Sequence, residues 1–104
     1  MTTAPVKGTV LVVDDDDAIR HMIARILARA GYGCCEAVDP PAALLLADER
    51  PFDLVMCDVN MPGGSGLSLV RELRQRHPDI AVLMVSGMDD PKTAALAIDS
   101  GAYG

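Results

Sequence analysis

Residues Thr9-Val10-Leu11-Val12-Val13 form an unbroken β-branched and aliphatic run, the pattern of a strand buried on both faces. The run ends abruptly at four consecutive aspartates, Asp14 to Asp17. Beyond them Ile19, Met22, Ile23, Ile26 and Leu27 recur at i, i+3, i+4, i+7 and i+8. That spacing predicts one apolar helix stripe, with Arg20, Arg25 and Arg29 mostly off it, Asp17 as N-cap and Gly31 just past the C-terminus. The same alternation of periods then repeats. Cys34 to Val38 reads as a short strand. Asp39-Pro40-Pro41 reads as a cap with proline in the first helical turn, and this helix runs to about Asp48 before Arg50-Pro51 breaks it. Asp53 to Cys57 is a third strand, ending at Asp58, and the turn Met61 to Gly66 follows. A helix with Leu67, Val70 and Leu73 inward ends near His77-Pro78. Ile80 to Val85 is a fourth strand closed by Ser86-Gly87, and Asp89-Asp90-Pro91 caps an Ala-rich helix that finishes at Gly101.

The predicted order is βαβαβαβα. Strands alternating with helices of about ten residues imply an α/β fold, a doubly wound parallel sheet with helices on both faces. In such sheets ligands bind beyond the carboxyl ends of the strands. That rule selects Asp14 and Asp15 after the first strand, Asp58 after the third and Ser86 after the fourth. Carboxylates brought that close repel, and either a raised pKa or a cation relieves them. Carboxylate and carbonyl oxygens with water suit Mg2+. An aspartate beside such a cation can also act as a nucleophile toward a phosphoryl group, and a serine hydroxyl can hydrogen-bond a phosphoryl oxygen. Each motif has an ordinary reading as well. Asp14 to Asp17 could simply favour a helix dipole, and Asp58 and Ser86-Gly87 could open turns. Their joint placement at three strand ends favours a site.

Composition narrows the field. The 104 residues make one small domain, and the formal net charge of −6 disfavours direct nucleic-acid contact. Aromatic residues are 3% of the chain, too few for base-stacking platforms. The longest apolar runs, Ala42 to Ala47 and Ile80 to Val85, are far shorter than the roughly 20 residues of a membrane span. Cys34, Cys35 and Cys57 form no CxxC pair, so they read as small apolar residues in a reducing cytoplasm. Residues 1–7 read as a flexible lead-in to a domain over 8–104.

Val12-Val13-Asp14-Asp15-Asp16, the run from Asp53 through Asp58 to Gly63, and Met84-Val85-Ser86-Gly87 together resemble a response-regulator receiver domain of two-component signalling. Asp99-Ser100-Gly101-Ala102 resembles the end of that family's fourth helix. The resemblance implies a flavodoxin-like sheet. It implies that Asp58 is the phosphoacceptor and that Asp15, Asp58 and the Asn60 backbone carbonyl ligate Mg2+, with Asp14 acting through water. Ser86 would turn toward the phosphoryl group, and Pro62 and Gly63 would shape the loop. The implied partner is a sensor histidine kinase, the implied compartment the cytoplasm, and the implied role a switch rather than a turnover enzyme.

The family also places a Lys-Pro pair at the end of a fifth strand. Here Lys7 and Lys92 are the only lysines, and neither stands at a strand end. On this reading the sheet is 2-1-3-4, without the fifth strand and fifth helix. Its fourth strand is then an open edge that invites a homodimer or edge-paired oligomer, and phosphotransfer is slowed. The alternative is a phosphorylation-impaired interaction or dimerisation module. A metal-dependent phosphohydrolase is disfavoured because Asn60 stands where a second carboxylate would be wanted, and a nucleotide-binding domain because the first strand leads into aspartates rather than a glycine loop.

Overall fold

The computed structural model of the chain describes residues 7–58 and 66–85. Within them the order is β1 (Thr9–Val13), α1 (Asp17–Arg29), β2 (Gly33–Ala37), α2 (Pro40–Glu49), β3 (Leu54–Asp58), α3 (Gly66–Arg76) and β4 (Ala81–Val85). The strands form one sheet in the order β2-β1-β3-β4, and every pairing is parallel. The expected α/β architecture and its strand order are therefore what the chain adopts. The Ala-rich helix expected after Ser86 lies outside the described residues.

Parallel pairing explains why β1 is aliphatic throughout. Helices cover both faces of such a sheet, so alternation with polar residues would bury polar groups. Val10, Leu11, Val12 and Val13 are all buried, and Val55, Cys57 and Val82 join them from the neighbouring strands. The cluster formed by Leu11, Val13, Val55, Val82, Leu69 and Leu73 lies under α2 and α3. Leu69 and Val70 carry the buried face of α3 together with Leu73, whereas Leu67, expected inward, is half-buried at the first turn.

The helix ends follow the expected chemistry with one correction. Asp16, not Asp17, caps α1: its side chain accepts a hydrogen bond from the Ile19 N–H at 3.1 Å. Asp17 sits in the first turn, where its charge favours the helix dipole. Asp39 caps α2 by accepting from the Ala42 N–H at 2.9 Å, with Pro40 at the first helical position. Past the end of α1, Gly31 takes φ +102°, a left-handed conformation that glycine adopts without a Cβ clash.

The apolar stripe of α1 is only partly covered among the described residues, with Ile23 and Leu27 half-buried. Ile19, Met22 and Ile26 are 42%, 54% and 59% exposed, while Arg20 and Ala24 are the buried residues of the helix. Arg20 is buried between α1 and Glu36 of β2. The Arg20 guanidinium meets Asp17 on the same helix, Glu36 on β2 and the Asp14 carbonyl.

Cys57 marks where the apolar core meets the acidic rim. It is 1% exposed, and its thiol donates to the Asp58 carbonyl at 3.3 Å. Burial first, and then the neighbouring carboxylates of Asp58 and Asp14, push its pKa up to about 12 from 9.0. Between those values the folded chain holds a proton that the unfolded chain has released, so stability must fall as pH rises. Unfolding by denaturant from pH 9 upward should show a loss of up to about 1.4 kcal/mol per pH unit that Cys57→Ala lacks, whatever its own starting stability. Equal slopes in the two proteins would contradict this. Separately, Asp39→Ala should cost about 1 kcal/mol of unfolding free energy through loss of the α2 cap. An unchanged denaturation midpoint would show that Pro40 suffices to start the helix.

Candidate functional site

Register brings the acidic residues to one rim of the sheet. Val13 stands opposite Ala37 on one side and Cys57 on the other, so Asp14 and Asp58 are the next residues at the carboxyl ends of adjacent strands. Asp58 in turn stands opposite Val85, the residue before Ser86. One carboxylate oxygen from each of Asp14, Asp15 and Asp58 lies within 4.8 Å of the others. Asp14 is buried, Asp58 half-buried and Asp15 exposed, so the cluster opens to solvent on the Asp15 side.

The main chain around Asp14 is held from several directions. Its N–H donates to the Ala37 carbonyl at 3.2 Å, which extends the pairing of β1 with β2 by one step. Its carboxylate accepts from the Asp16 N–H at 2.9 Å, a tight local turn that aims the chain into α1. Its own carbonyl accepts from Arg20 Nη1 at 2.9 Å. Among the described residues, no buried side-chain nitrogen or oxygen lacks a hydrogen-bond partner.

Arg20 is the charged residue nearest to this arrangement that the sequence pattern does not single out. It is 6% exposed. Nη2 meets the Asp17 carboxylate at 2.7 Å, and Nε meets Glu36 on β2 at 3.0 Å. The same Glu36 oxygen lies 2.6 Å from His21 Nδ1. Burial works against the guanidinium charge, but the carboxylates of Asp17 and Glu36 more than offset it and hold its pKa raised. An arginine one helical turn beyond the aspartate run is visible in the sequence, but periodicity assigns it to the outside.

The donor set fits a hard cation. Three carboxylates offer oxygen ligands, and water can complete an octahedral shell on the exposed side. Cys57 does not compete as a soft ligand, because its thiol stays protonated and turned to the Asp58 carbonyl. Among the described residues no other group of three acidic, histidine or cysteine side chains is placed to hold an ion. The structure thus brings together Asp14, Asp15 and Asp58. The remaining expected site residues, Asn60, Pro62, Gly63 and Ser86, lie outside the described residues. No helix among the described residues is long and apolar enough to cross a membrane.

Comparison with known proteins adds an independent line. The family model for the response regulator receiver domain matches residues 10–104. The DNA-binding transcriptional regulator NtrC of Escherichia coli is 38% identical over 97 residues, which are 93% of this chain and 21% of that protein. The chain therefore spans about a fifth of the length of that relative. Among solved structures, NtrX from Brucella abortus in complex with ADP superposes with a TM-score of 0.88 at 38% identity, covering 92% of this chain and 22% of that one. The chemotaxis response regulator CheY4 of Vibrio cholerae superposes with a TM-score of 0.87 at 32% identity, covering 97% of this chain and 84% of that one. Sequence, topology and the acidic rim agree: the chain belongs to the response regulator receiver domain family, the phosphoacceptor switches of two-component signalling.

Proposed function

We propose that Asp58 is the residue that accepts the phosphoryl group, from the phosphohistidine of a sensor histidine kinase in the cytoplasm. The observation that carries this reading is the convergence of Asp14, Asp15 and Asp58 within 4.8 Å at the carboxyl ends of β1 and β3. Of the three, Asp58 stands alone at the end of β3 while Asp14 and Asp15 follow β1 as a pair, so one strand supplies the acceptor and the other the remaining acidic ligands.

In this reading Asp15 and Asp58, with the Asn60 carbonyl, hold Mg2+, and Asp14 acts on it through water. When bound, Mg2+ neutralises charge on the phosphoryl oxygens and orients the group for in-line transfer. The chain's own residues do the rest. A carboxylate oxygen of Asp58 forms a bond to phosphorus as the phosphorus–nitrogen bond of the donor histidine breaks, and the electron pair returns to the imidazole. Ser86 donates its hydroxyl to a phosphoryl oxygen. Pro62 and Gly63 set the path of the loop between β3 and α3. The phosphorylated side chain carries about 1.5 to 2 negative charges where the Asp58 carboxylate carried one, at a rim already crowded with carboxylates, and the added charge and bulk shift the population between two states of the domain.

The test is intact-protein mass after incubation with Mg2+ and a small-molecule phosphodonor, with the chain run beside Asp58→Ala. One phosphoryl adduct on the chain and none on the variant is expected. Chelation of Mg2+ should slow adduct formation by about 100-fold, the several kcal/mol that metal neutralisation supplies. An adduct that persists in Asp58→Ala would place the acceptor elsewhere. Absence of any adduct, with Mg2+ still bound, would favour an interaction module that has lost phosphotransfer.

A further inference from the structure

A guanidinium that is 6% exposed needs a reason to be inside. Taking it out of water is costly unless every donor is matched. Asp17 and Glu36 already balance its charge, at 2.7 and 3.0 Å. The third arm goes to an uncharged acceptor instead, the Asp14 carbonyl at 2.9 Å. That oxygen belongs to the peptide joining Asp14 to Asp15. A peptide is planar, so fixing its oxygen fixes the orientation of the plane and with it the directions in which both flanking residues project. Two carboxylates that repel each other, and Asp58 as well, leave from the ends of that plane.

We infer that Arg20 is a positioning residue for the acidic site: its guanidinium locks the Asp14–Asp15 peptide against Asp17 on α1 and Glu36 on β2, so that both carboxylates are aimed before a cation arrives. This rests on the reading of Asp14, Asp15 and Asp58 as a Mg2+ pocket. The fork of the guanidinium matters, because three acceptors on three elements are reached at once. A lysine ammonium carries the same charge on a single nitrogen and cannot match that geometry. Glu36 is itself steadied by His21, whose Nδ1 lies 2.6 Å from the oxygen that Arg20 uses.

The sign of the effect separates positioning from plain electrostatics. Arg20 is a positive charge near a cation site. If it acted through charge alone, removing it would tighten Mg2+ binding. If it positions the carboxylates, removing it weakens binding despite the lost repulsion. The experiment is a Mg2+ titration of the full chain, Arg20→Met, Arg20→Lys and Glu36→Ala, followed by calorimetry and by the backbone amide resonance of Asp15. Arg20→Met should bind Mg2+ about 10-fold more weakly or worse, the usual loss when a residue that orients metal ligands is removed. Arg20→Lys, which keeps the charge and loses the fork, should bind no better than Arg20→Met, and Glu36→Ala should fall between them and the unaltered chain. In the absence of Mg2+ the Asp15 amide should already be shifted, and its hydrogen exchange faster, in all three variants.

Equal or tighter Mg2+ binding by Arg20→Met would overturn the inference, as would full recovery in Arg20→Lys. A merely structural Arg20 would lower the unfolding temperature and leave the Mg2+ constant unchanged, which also overturns it. Should Arg20→Met fail to fold, Arg20→Lys decides between the two roles, because it keeps the charge and loses only the fork. A failure of the unaltered chain to bind Mg2+ would refute the reading of the pocket, while the metal-free Asp15 amide still decides whether Arg20 sets its geometry.

Discussion

Parallel pairing of β1 with both β2 and β3 points all three carboxyl ends at one rim, and whatever the chain carries there must coexist at close quarters. In this protein that rim carries three carboxylates within 4.8 Å of one another. Their mutual repulsion is the constraint around which the neighbouring structure is arranged. Asp14 is buried and tied down through its N–H, its carbonyl and its carboxylate, whereas Asp15 opens to water. Each of those bonds draws on a different element: the end of β2, the first turn of the β1–α1 connection, and α1 itself. The acidic rim and the packing of α1 are one arrangement.

The burial of Arg20 on α1 shows what that arrangement costs. A helix with Ile19, Met22 and Ile26 on one stripe would gain most by turning that stripe onto the sheet. It instead buries Arg20 and Ala24 and leaves the three large residues 42%, 54% and 59% exposed. The Arg20 guanidinium meets its acceptors there in set directions, because hydrogen bonds to a charge are directional and an apolar contact is not. Cys57 illustrates the complementary effect one strand away. Burial, helped by the Asp58 and Asp14 carboxylates, keeps the adjacent thiol protonated, so the rim presents hard oxygen donors and withholds the sulfur.

Much of this is legible in the order of residues alone. The aliphatic run Thr9–Val13 admits few readings other than a strand covered on both sides, and β1 has those bounds. The cap at Asp39 with Pro40 after it, and the left-handed Gly31, follow from side-chain and backbone chemistry that acts over three or four residues. Asp14, Asp15 and Asp58 are legible as a group because they follow strands, and the parallel topology then brings strand ends together. Arg20 is not legible. Periodicity reports which residues share a face, but which face turns inward depends on acceptors that other elements supply. Two of those, Glu36 and the Asp14 carbonyl, come from another strand and from the main chain. The one-residue shift of the α1 cap from Asp17 to Asp16 has the same origin, since four equivalent aspartates in a row leave the choice to the turn that Asp14 makes with the Asp16 N–H.

The place of β1 in the sheet also governs how the chain is made. It is the first strand in sequence, yet it pairs on one edge with Gly33–Ala37 and on the other with Leu54–Asp58. A nascent chain therefore carries its most aliphatic strand with one edge bare until Ala37 has emerged, and with the other edge bare until Asp58 has. At about 5–20 residues per second of synthesis, that interval lasts a few seconds, long against the microseconds in which a helix forms. During it α1 and α2 have only a partial sheet to rest on, and the exposed Val10–Val13 run is the segment most in need of shielding. The acidic residues that follow it, Asp14 to Asp17, put charge immediately beside that run from the moment it appears, which keeps the unfinished strand from pairing with its own kind on another chain.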